Sequence, residues 1–353
     1  MNSRKNVFVG LSGGVDSSVA ALRLIKAGYN VTGVFIKVWH PDFMVCNWEQ
    51  ERLDAMRVAA KLGIPFLTCD AETEYRDAVA HYFIESYRAG LTPNPDVMCN
   101  KEVKFGAFYK FALERGADFI ATGHYAQTKV VGDTTEMHRG IDTNKDQSYF
   151  LWTLPTVILK NILFPVGNST KDVIRAEATR AGLLTAEKKD SQGVCFLGHI
   201  DIPDFLSHYI DLEKGNVCNE EGVVVGSHQG AFVYTIGQRH GFTLHDTNPN
   251  RAPQYVVKKD TTTNTITVSD IPPILHTQTN LRLTECVLNT PLAPGDVLSA
   301  QSRYRQPPFT VTVLAVAGTV IELTVSQSSE AVASGQSCVL YRGEHCIGGG
   351  IIA

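Results

Sequence analysis

Short apolar runs alternate with longer amphipathic segments through the first half of the chain. Residues 6–10 (NVFVG) and 65–70 (PFLTCD) are short and apolar, whereas residues 16–27 and 49–63 place apolar side chains at helical spacing. This β–α alternation predicts a parallel sheet covered by helices on both faces. The pattern continues with strand-like residues 31–39 and 118–126 and with helical residues 74–90 and 101–116.

A proline-rich segment separates two of these helices. Residues 92–100 read TPNPDVMCN, and Pro93 and Pro95 interrupt any regular pattern there. The sequence predicts a loop.

The pattern changes after about residue 205, where Gly, Thr and Val dominate. Runs such as residues 254–270 and 309–325 alternate in hydrophobicity between turn residues and predict antiparallel β structure. The proline pair within residues 270–280 marks a boundary between two β units. We therefore predict an α/β domain over residues 1–203, a small β-rich domain over 204–272 and a third, β-rich domain over 273–353.

Composition narrows the class of protein and the kind of partner. The 353 residues are 44% hydrophobic and 19% charged, with a formal net charge of −4. A chain without excess positive charge has no bulk attraction to nucleic acid, so any RNA contact must come from local patches. No apolar run is long enough to predict a membrane span, and the first residues lack a signal-peptide core. A cytoplasmic protein is the default prediction.

The eight cysteines form no CxxC pair. Their spacing argues against a zinc site, and a reducing compartment argues against structural disulfides. Most of these thiols are expected to be small buried side chains. They occupy positions 46, 69, 99, 195, 218, 286, 338 and 346.

Residues 10–18 read GLSGGVDSS and directly follow the first predicted strand. Adjacent glycines let the backbone approach an anion, and N–H groups at a helix start bind phosphate oxygens. Ser12 and Ser17 add hydroxyl donors, while Asp16 suits Mg²⁺ better than phosphate. The lysine of a Walker A loop is absent from this stretch. An ordinary glycine-rich turn is the alternative interpretation.

The full SGGVDSS stretch resembles the pyrophosphatase loop, SGGxDS, of the ATP α-hydrolases. The resemblance implies an adenine nucleotide α-hydrolase-like fold for the N-terminal domain. It also implies that ATP is cleaved between its α- and β-phosphates and that a carbonyl oxygen of the substrate is adenylated. Argininosuccinate, asparagine and GMP synthetases, lysidine synthetase and tRNA thiolases share the loop, so it does not choose the substrate.

Two cysteines lie in segments that could carry chemistry. Cys99 follows Asp96 by three residues, and a carboxylate close to a thiol suits proton transfer. Cys195 follows Lys188 and Lys189, whose charges would favour a thiolate. Taken alone, each cysteine is more often a buried structural residue.

Several longer phrases resemble the tRNA-specific 2-thiouridylases and occur in that family's order along essentially the whole chain. The phrases that contain Cys99 and Cys195, NPDVMCN and DSQGVCF, are far more specific than the phosphate loop. The others are ATGHYA, NKDQSYFL, FPVGNSTKDVIR, YTIGQRHG, RYRQ and CIGGGIIA.

The resemblance implies ATP-dependent 2-thiolation of the wobble uridine in tRNAs for Lys, Glu and Gln. ATP adenylates the C2 oxygen, which then leaves as AMP after pyrophosphate has been released. Cys195 corresponds to the cysteine whose persulfide sulfur attacks C2. Cys99 corresponds to the thiol that then attacks the persulfide or closes a transient disulfide with Cys195, and Asp96 corresponds to a general acid or base. The two cysteines must therefore converge in the fold.

The resemblance also assigns binding residues, cofactors and partners. Implied cofactors are ATP and Mg²⁺, with an iron–sulfur cluster left open and no other metal site assigned. Implied partners are tRNA, bound in part by a C-terminal β-barrel, and a sulfur-relay protein fed by a cysteine desulfurase; a monomer is expected. Expected nucleotide contacts are Gly10, Leu11, Ser12, Gly13, Gly14, Val15, Asp16, Ser17, Ile36 and Gly123. Expected tRNA contacts are Asn94, Pro95, Asp96, His124, Lys145, Asp146, Gln147, Arg303, Tyr304 and Gln336.

Some alternatives stay open. His124 reads equally as a satisfied polar residue at a strand end, and RYRQ reads as a solvated strand face. Residues 40–56 depart from the acidic stretch of many bacterial relatives, which leaves the role of Cys46 open. An adenylating ligase acting on a small carboxylate, or an RNA-binding module with a silent nucleotide pocket, would explain fewer of the motifs.

Overall fold

A computed structural model describes residues 4–44, 48–189, 198, 201–246, 248 and 250–353. Within these ranges, no helix is long and apolar enough to cross a membrane. Two stretches of wider, π-type helix lie at Tyr75–Ala80 and at Cys99–Ala107. The first part contains β1 (Asn6–Gly10), α1 (Val15–Lys26), β2 (Asn30–Lys37), α2 (Trp48–Leu62), β3 (Phe66–Asp70), α3 (Glu72–Glu74), α4 (His81–Arg88), α5 (Pro95–Met98), α6 (Phe108–Glu114), β4 (Phe119–Ala121), β5 (Ala126–Val131), β6 (Thr134–Arg139), α7 (Thr156–Leu159), β7 (Ile162–Leu163), α8 (Lys171–Arg180) and α9 (Ile202–Ser207).

Five of these strands form a parallel sheet in the order β3-β2-β1-β4-β7. Side chains alternate across it, because Val7 and Val9 join one buried core while Phe8 joins the other. β2 and β3 follow β1 on one side of the sheet, whereas β4 lies on the other side of β1. This reversal of strand order leaves a crevice at the carboxyl ends of β1 and β4. The predicted parallel sheet with helices on both faces is confirmed.

A helix begins inside the segment predicted as a loop. α5 starts at Pro95 and runs on through the π-type stretch into α6, so Cys99 lies on a helix. Asn94 caps this helix, with its side-chain oxygen accepting from the Val97 N–H at 3.3 Å. Proline is well suited to the first helical position, where an N–H would have no intrahelical partner. The loop prediction is wrong because it treated Pro95 as a breaker.

The central part folds into a second, smaller sheet in the order β10-β9-β8-β12-β11. Its pairings are antiparallel except for β12 with β8. Its core residues Val217 and Ile266 share one buried cluster with Phe83 and Tyr87 of α4. The strands are β8 (Gly215–Cys218), β9 (Val224–His228), β10 (Thr243–Leu244), β11 (Tyr255–Asp260) and β12 (Thr265–Ser269).

The C-terminal part contains a closed barrel of six strands, β14-β17-β16-β15-β19-β20, in which β20 pairs back to β14. Closure removes the exposed sheet edges. Alternate residues such as Val311 and Val313 point into its core. The predicted C-terminal barrel is confirmed. The strands of this part are β13 (Ile274–Leu275), β14 (Asn280–Leu288), β15 (Val297–Gln301), β16 (Phe309–Ala317), β17 (Val320–Val325), β18 (Ser329–Glu330), β19 (Ser337–Arg342) and β20 (His345–Ile352).

A hairpin from the first part joins this barrel. β5 and β6 pair with each other, and β6 pairs with β20 through Met137 opposite Cys346 and His138 opposite His345. The sequence pattern predicted one strand over residues 118–126, but β4 ends at Ala121 and the hairpin follows. Most side chains of β5 are exposed or half-buried, so the hairpin carries a weak apolar signal.

Candidate active site

The glycine-rich loop joins the carboxyl end of β1 to the first turn of α1. Gly13 has a φ of +69°, and a Cβ built on it would lie 2.9 Å from Asp54 Cβ, so the position requires glycine. The Ser17 hydroxyl closes the loop, because it accepts from the Ser12 N–H at 3.3 Å and donates to the Gly14 carbonyl at 3.2 Å. The N–H groups of the first turn of α1 follow at once and have no acceptors within the helix. A fixed loop and unpaired backbone donors together make an anion site.

Two further residues assigned to the nucleotide lie beside this loop. Gly123 follows β4, and a Cβ built on it would lie 2.6 Å from the Ser17 backbone nitrogen. Ile36 lies near the end of β2, and its Cδ1 would be 3.8 Å from a Cβ on Gly10. The predicted nucleotide residues therefore converge at the carboxyl edge of three adjacent strands, where α/β sheets bind ligands.

A partly buried ion pair supports the loop from the side of α8. Lys171 Nζ lies 2.7 Å and 2.8 Å from the two carboxylate oxygens of Asp16. The Tyr125 hydroxyl also donates to Asp16 Oδ1, at 2.7 Å. Neither Lys171 nor Tyr125 was found from the sequence, because 155 and 109 residues separate them from Asp16. The TKDVIR and GHYA phrases that contain them are the only signal that points to them.

The arrangement around Asp16 does not suit a magnesium ligand. Mg²⁺ demands near-octahedral oxygen coordination, whereas both Asp16 oxygens accept from an ammonium group and one accepts from Tyr125. In the described ranges, no group of three or more His, Cys, Asp or Glu residues is arranged to hold a metal ion. Asp16 therefore does not fit the predicted role of Mg²⁺ ligand, and Mg²⁺ held mainly by nucleotide phosphates fits better.

Asp96 and Cys99 lie at the start of the long helix that begins at Pro95. Asp96 is half-buried in the first turn, and Cys99 is fully buried in the next. The same helix reaches the phosphate loop, because Phe108 Cε1 would lie 3.6 Å from a Cβ on Gly10. One element thus connects the thiol to the nucleotide side of the site.

Cys195 lies outside the described residues, and so does Cys46. The convergence of Cys99 with Cys195 therefore stays a prediction. Lys188, expected to favour a thiolate at Cys195, forms an ion pair of 2.7 Å with Asp54. Since Asp54 also packs against the phosphate loop, Lys188 ties the segment that precedes Cys195 to the loop.

Four other cysteines are chemically quiet. Burial raises the pKa of Cys69 and Cys286 to about 11 and the pKa of Cys338 and Cys346 to about 12. These groups stay protonated near neutral pH and act as small core side chains. The expectation that most of the thiols are buried is confirmed for the cysteines that the structure describes.

Tyr149 organises the junction between the helix start and the barrel. Its hydroxyl lies 3.0 Å from the Ser302 carbonyl and 3.3 Å from the Ser337 carbonyl, to which it donates. The Asn94 amide donates to the same hydroxyl at 3.5 Å. Burial raises the pKa of Tyr149 well above its ordinary value, so the hydroxyl keeps its proton. Sequence reasoning missed Tyr149, although the NKDQSYFL phrase contains it.

The segment Lys145–Gln147, expected to contact tRNA, is held mainly from within. Asp146 is buried and accepts from Arg139 Nη1 at 2.9 Å. Gln147 Oε1 accepts from the Tyr125 N–H at 3.0 Å. Lys145 is half-buried. Asp146 and Gln147 therefore shape this segment in the structure.

His124, another expected tRNA contact, is buried between two aromatic rings. Its ring centroid lies 5.8 Å from that of Phe105 and 6.3 Å from that of Phe164, and its Nδ1 is 2.8 Å from Thr122 Oγ1. Burial, with a smaller effect of the Lys104 charge, lowers its pKa well below the ordinary value, so the ring is neutral. The structure places it as a packed polar residue behind Gly123.

The barrel residues assigned to tRNA gather around the same junction. Arg303 Nη2 donates to the Ile236 carbonyl of the central part at 2.7 Å. The Tyr304 ring is half-buried, 4.7 Å from the Phe150 ring. Gln336 Oε1 is buried and has no hydrogen-bond partner within the described part of the chain. An unpaired buried acceptor beside a junction is a place where a polar ligand can gain a hydrogen bond.

Known protein families and individual proteins match this chain along nearly its whole length. Residues 5–199 match the family described as tRNA methyl transferase HUP domain, residues 203–270 the tRNA methyl transferase PRC-barrel domain, and residues 279–352 the Aminomethyltransferase beta-barrel domain. The tRNA-specific 2-thiouridylase MnmA of Enterococcus faecalis is 44% identical over 360 residues, which cover 99% of this chain and 96% of that protein. The chain belongs to the tRNA-specific 2-thiouridylase family.

Other 2-thiouridylases give the same result. The protein of that name from Shewanella amazonensis is 44% identical over 358 residues, which cover 99% of this chain and 95% of the relative. Among solved structures, a 4-thiouridine synthetase–RNA complex with bound ATP is 20% identical with a TM-score of 0.35, covering 58% of this chain and 50% of that one. A structural likeness this weak carries no inference. Membership of the 2-thiouridylase family confirms the resemblance drawn from the sequence phrases.

Proposed function

We propose that this protein replaces the C2 oxygen of the wobble uridine of tRNA by sulfur at the expense of ATP. The observation that carries the proposal is the full-length match to 2-thiouridylases, which includes the phosphate loop and the segments of both cysteines. Methyl transfer, the activity in the family descriptions, would leave the loop and the two cysteine segments without a task. A ligase acting on a carboxylate would leave the barrel and the cysteines without one.

The nucleotide part of the proposal rests on the loop at the end of β1. Backbone N–H groups of Gly13 and Gly14 and of the first turn of α1 would bind the phosphates, and the Ser17 hydroxyl would hold the loop in shape. Ile36 would lie against the adenine ring. ATP supplies an adenylyl group that converts the C2 oxygen into a leaving group. The residues present fit such a nucleotide, because Gly13 and Gly123 permit the close approaches to Asp54 and Ser17 that hold the loop in this shape.

The sulfur part of the proposal assigns roles to three residues. Cys195 carries a persulfide whose terminal sulfur attacks C2 as AMP leaves, which gives a disulfide adduct between Cys195 and the base. The Cys99 thiolate then attacks the Cys195 sulfur, so that the S–S bond of the adduct breaks, a transient Cys99–Cys195 disulfide forms and the terminal sulfur stays on C2. Asp96 moves a proton at the reacting centre, and its place one turn before Cys99 on the same helix supports this role. The proposal includes no step at an iron–sulfur cluster.

The RNA part of the proposal rests on the junction around Tyr149. Asn94, Pro95 and Asp96 face the target base, while Tyr304 and Gln336 contribute a ring and an amide from the barrel. Single-stranded RNA is recognised by stacking and by hydrogen bonds to exposed base edges, which suits these two side chains. The remaining proposed tRNA contacts are Lys145, Asp146, Gln147, His124 and Arg303. We also propose that the protein acts as a monomer in the cytoplasm and receives sulfur from a relay protein fed by a cysteine desulfurase.

The test is nucleoside mass spectrometry after incubation with unmodified tRNA, ATP, Mg²⁺ and a sulfide or persulfide source. We expect 2-thiouridine at the wobble position, with AMP and pyrophosphate formed only when tRNA is present. A tRNA with cytidine at that position should stay unmodified. A methylated nucleoside, or AMP formation driven by a small carboxylate, would overturn the proposal.

Single substitutions separate the chemical roles. Cys195→Ser should abolish thiolation and keep tRNA-dependent pyrophosphate exchange, because adenylation needs no thiol. Cys218→Ser, at a half-buried cysteine outside the site, is the matched control and should thiolate normally. Normal thiolation by Cys195→Ser would refute the assignment of the nucleophile.

A further inference from the structure

We propose that Lys171 supplies the positive charge that the phosphate loop itself lacks. It acts through Asp16, where its ammonium group takes the place of a metal ion at the carboxylate. Lys171 is then a positioning residue. The inference rests on the proposed function only in that ATP is the nucleotide bound at the loop. It accounts for the absence of a lysine from GLSGGVDSS itself.

The first observation is the two-point contact. Lys171 Nζ lies within 2.8 Å of both oxygens of Asp16, and the Lys171 side chain is buried while that of Asp16 is partly exposed. A buried ammonium group is costly unless it is paired, so the pair forms a unit that neither partner leaves without a penalty. Tyr125 completes this unit by donating to Asp16 Oδ1.

The second observation is where Asp16 lies. It is in the first turn of α1, among the N–H groups that would bind phosphate. An uncompensated carboxylate there would repel the phosphates of the nucleotide, and in a partly buried site water screens that repulsion only weakly. Lys171 cancels this charge. The loop thus carries Asp16 without losing its affinity for anions.

The third observation is how firmly Lys171 is held. It is the first residue of α8, and its backbone N–H donates to Asp142 Oδ2 at 2.9 Å. α8 is itself tied to α1 by two hydrogen bonds from Arg23 to Glu177, of 3.0 Å and 2.6 Å. The ammonium group is therefore held at the loop by a helix that is fixed at two places. Asp142 binds its first residue, and the Arg23–Glu177 pair ties it to α1.

The experiment compares the wild type with five variants, Asp16→Asn alone among them, by tRNA-dependent pyrophosphate release at varied ATP and Mg²⁺. We expect Lys171→Met to raise KM for ATP by about tenfold or more, with a smaller change in kcat, because ground-state binding of the phosphates is weakened. Lys171→Arg should restore part of the loss. The double variant Asp16→Asn with Lys171→Met should recover most of the ATP affinity, because it removes the repelling carboxylate together with its partner. Lys26→Met, at the exposed far end of α1, is the matched control and should behave as the wild type.

Three outcomes would overturn the inference. The first is an unchanged KM for ATP in Lys171→Met. The second is a double variant no better than Lys171→Met, which would indicate direct contact of Lys171 with phosphate. The third is a large rise in the Mg²⁺ requirement of Asp16→Asn, which would make Asp16 a metal ligand. A thermal melt of each variant separates misfolding from lost affinity, and absence of 2-thiouridine with the wild-type protein would refute the proposed function instead.

Discussion

The phosphate loop and the barrel junction around Tyr149, which the proposed function assigns to the nucleotide and to RNA, are built in opposite ways. Around the phosphate loop the side chains and the backbone are fixed in place: Gly13 and Gly123 are packed to contact, and Asp16 is held by Lys171 and Tyr125. Around the barrel junction, in contrast, the buried side-chain oxygens of Gln336 and Ser337 have no partner in the described part of the chain.

The difference indicates how each side treats its ligand. A loop with a fixed shape pays little conformational entropy when a phosphate arrives, which suits a small substrate of constant geometry. A junction with unpaired polar atoms gains its missing hydrogen bonds when a large polar ligand covers it. The phosphate loop thus has its shape before a ligand binds, whereas the barrel junction, under the proposed function, gains hydrogen bonds when tRNA binds.

The largest expected effect tests whether the buried Arg139–Asp146 pair stabilises the junction around Tyr149. Arg139→Met removes a donor to the buried Asp146 and to Gln301, and it should lower the free energy of unfolding by about 3 kcal/mol. The reason is that the buried carboxylate loses its compensating charge and is left with the neutral donors of Gly140 and Ser148. Urea unfolding measures this. Arg342→Met is the matched control: its ion pair with Asp296 is exposed and should cost under about 1 kcal/mol. Equal losses of unfolding free energy in the two variants would show that the buried pair stabilises the junction no more than an exposed pair would.

The next effect tests the fixed shape of the loop. Gly13→Ala places a methyl group at 2.9 Å from Asp54 Cβ and 3.0 Å from the Glu51 carbonyl oxygen, so the loop must shift. We expect tRNA-dependent pyrophosphate release to fall about a hundredfold, as a displacement near 1 Å commonly costs.

Gly28→Ala gives the control for Gly13→Ala. Gly28 also has a positive φ, but a Cβ there meets nothing within 4 Å, so the change adds backbone strain without a clash. Activity should stay near that of the wild type. A comparable loss in both variants would mean that strain, and not the packed shape of the loop, explains the effect.

A smaller effect concerns pH and the buried His124 behind the nucleotide side. Its folded-state pKa lies well below the ordinary 6.5, so below about pH 6.5 only the unfolded chain takes up the proton and stability falls as pH falls. His124→Phe should remove a slope of up to about 1.4 kcal/mol per pH unit from the urea-unfolding profile. His240→Phe, at an exposed position, is the control. Parallel profiles for His124→Phe and the wild type would contradict a neutral buried ring.

The smallest effect separates binding from stability at the junction. Gln336→Met removes a buried acceptor that has no described partner, so the free energy of unfolding should stay the same or rise. tRNA affinity should fall by a factor of about 5, the order of one lost hydrogen bond. In Gln301→Met, by contrast, stability should fall, because Gln301 accepts from Arg139. A stability loss in Gln336→Met with unchanged tRNA binding would reverse the roles assigned to the two glutamines.

Local patterns predicted the elements that short-range physics determines. The apolar run of β1, the helix of residues 15–26 and the glycine pair between them are each decided within a few residues, and the structure agrees with them. The helix start at Pro95 was missed because proline was weighed as a breaker without the Asn94 cap. Lys171, Tyr125 and Tyr149 were missed because their partners are distant in the sequence. The joining of β6 to β20 was missed for the same reason.

The pairing of β6 with β20 has a consequence for how the polypeptide folds while it is being synthesised. The hairpin edge made early in synthesis must wait about two hundred residues for its neighbouring strand, and contacts of such long range are slow to form. While a ribosome is still translating the barrel, the edge of β6 is open to pairing with other chains. A truncated product that lacks β20 would therefore leave the edge of β6 without its neighbouring strand and open to pairing with another chain.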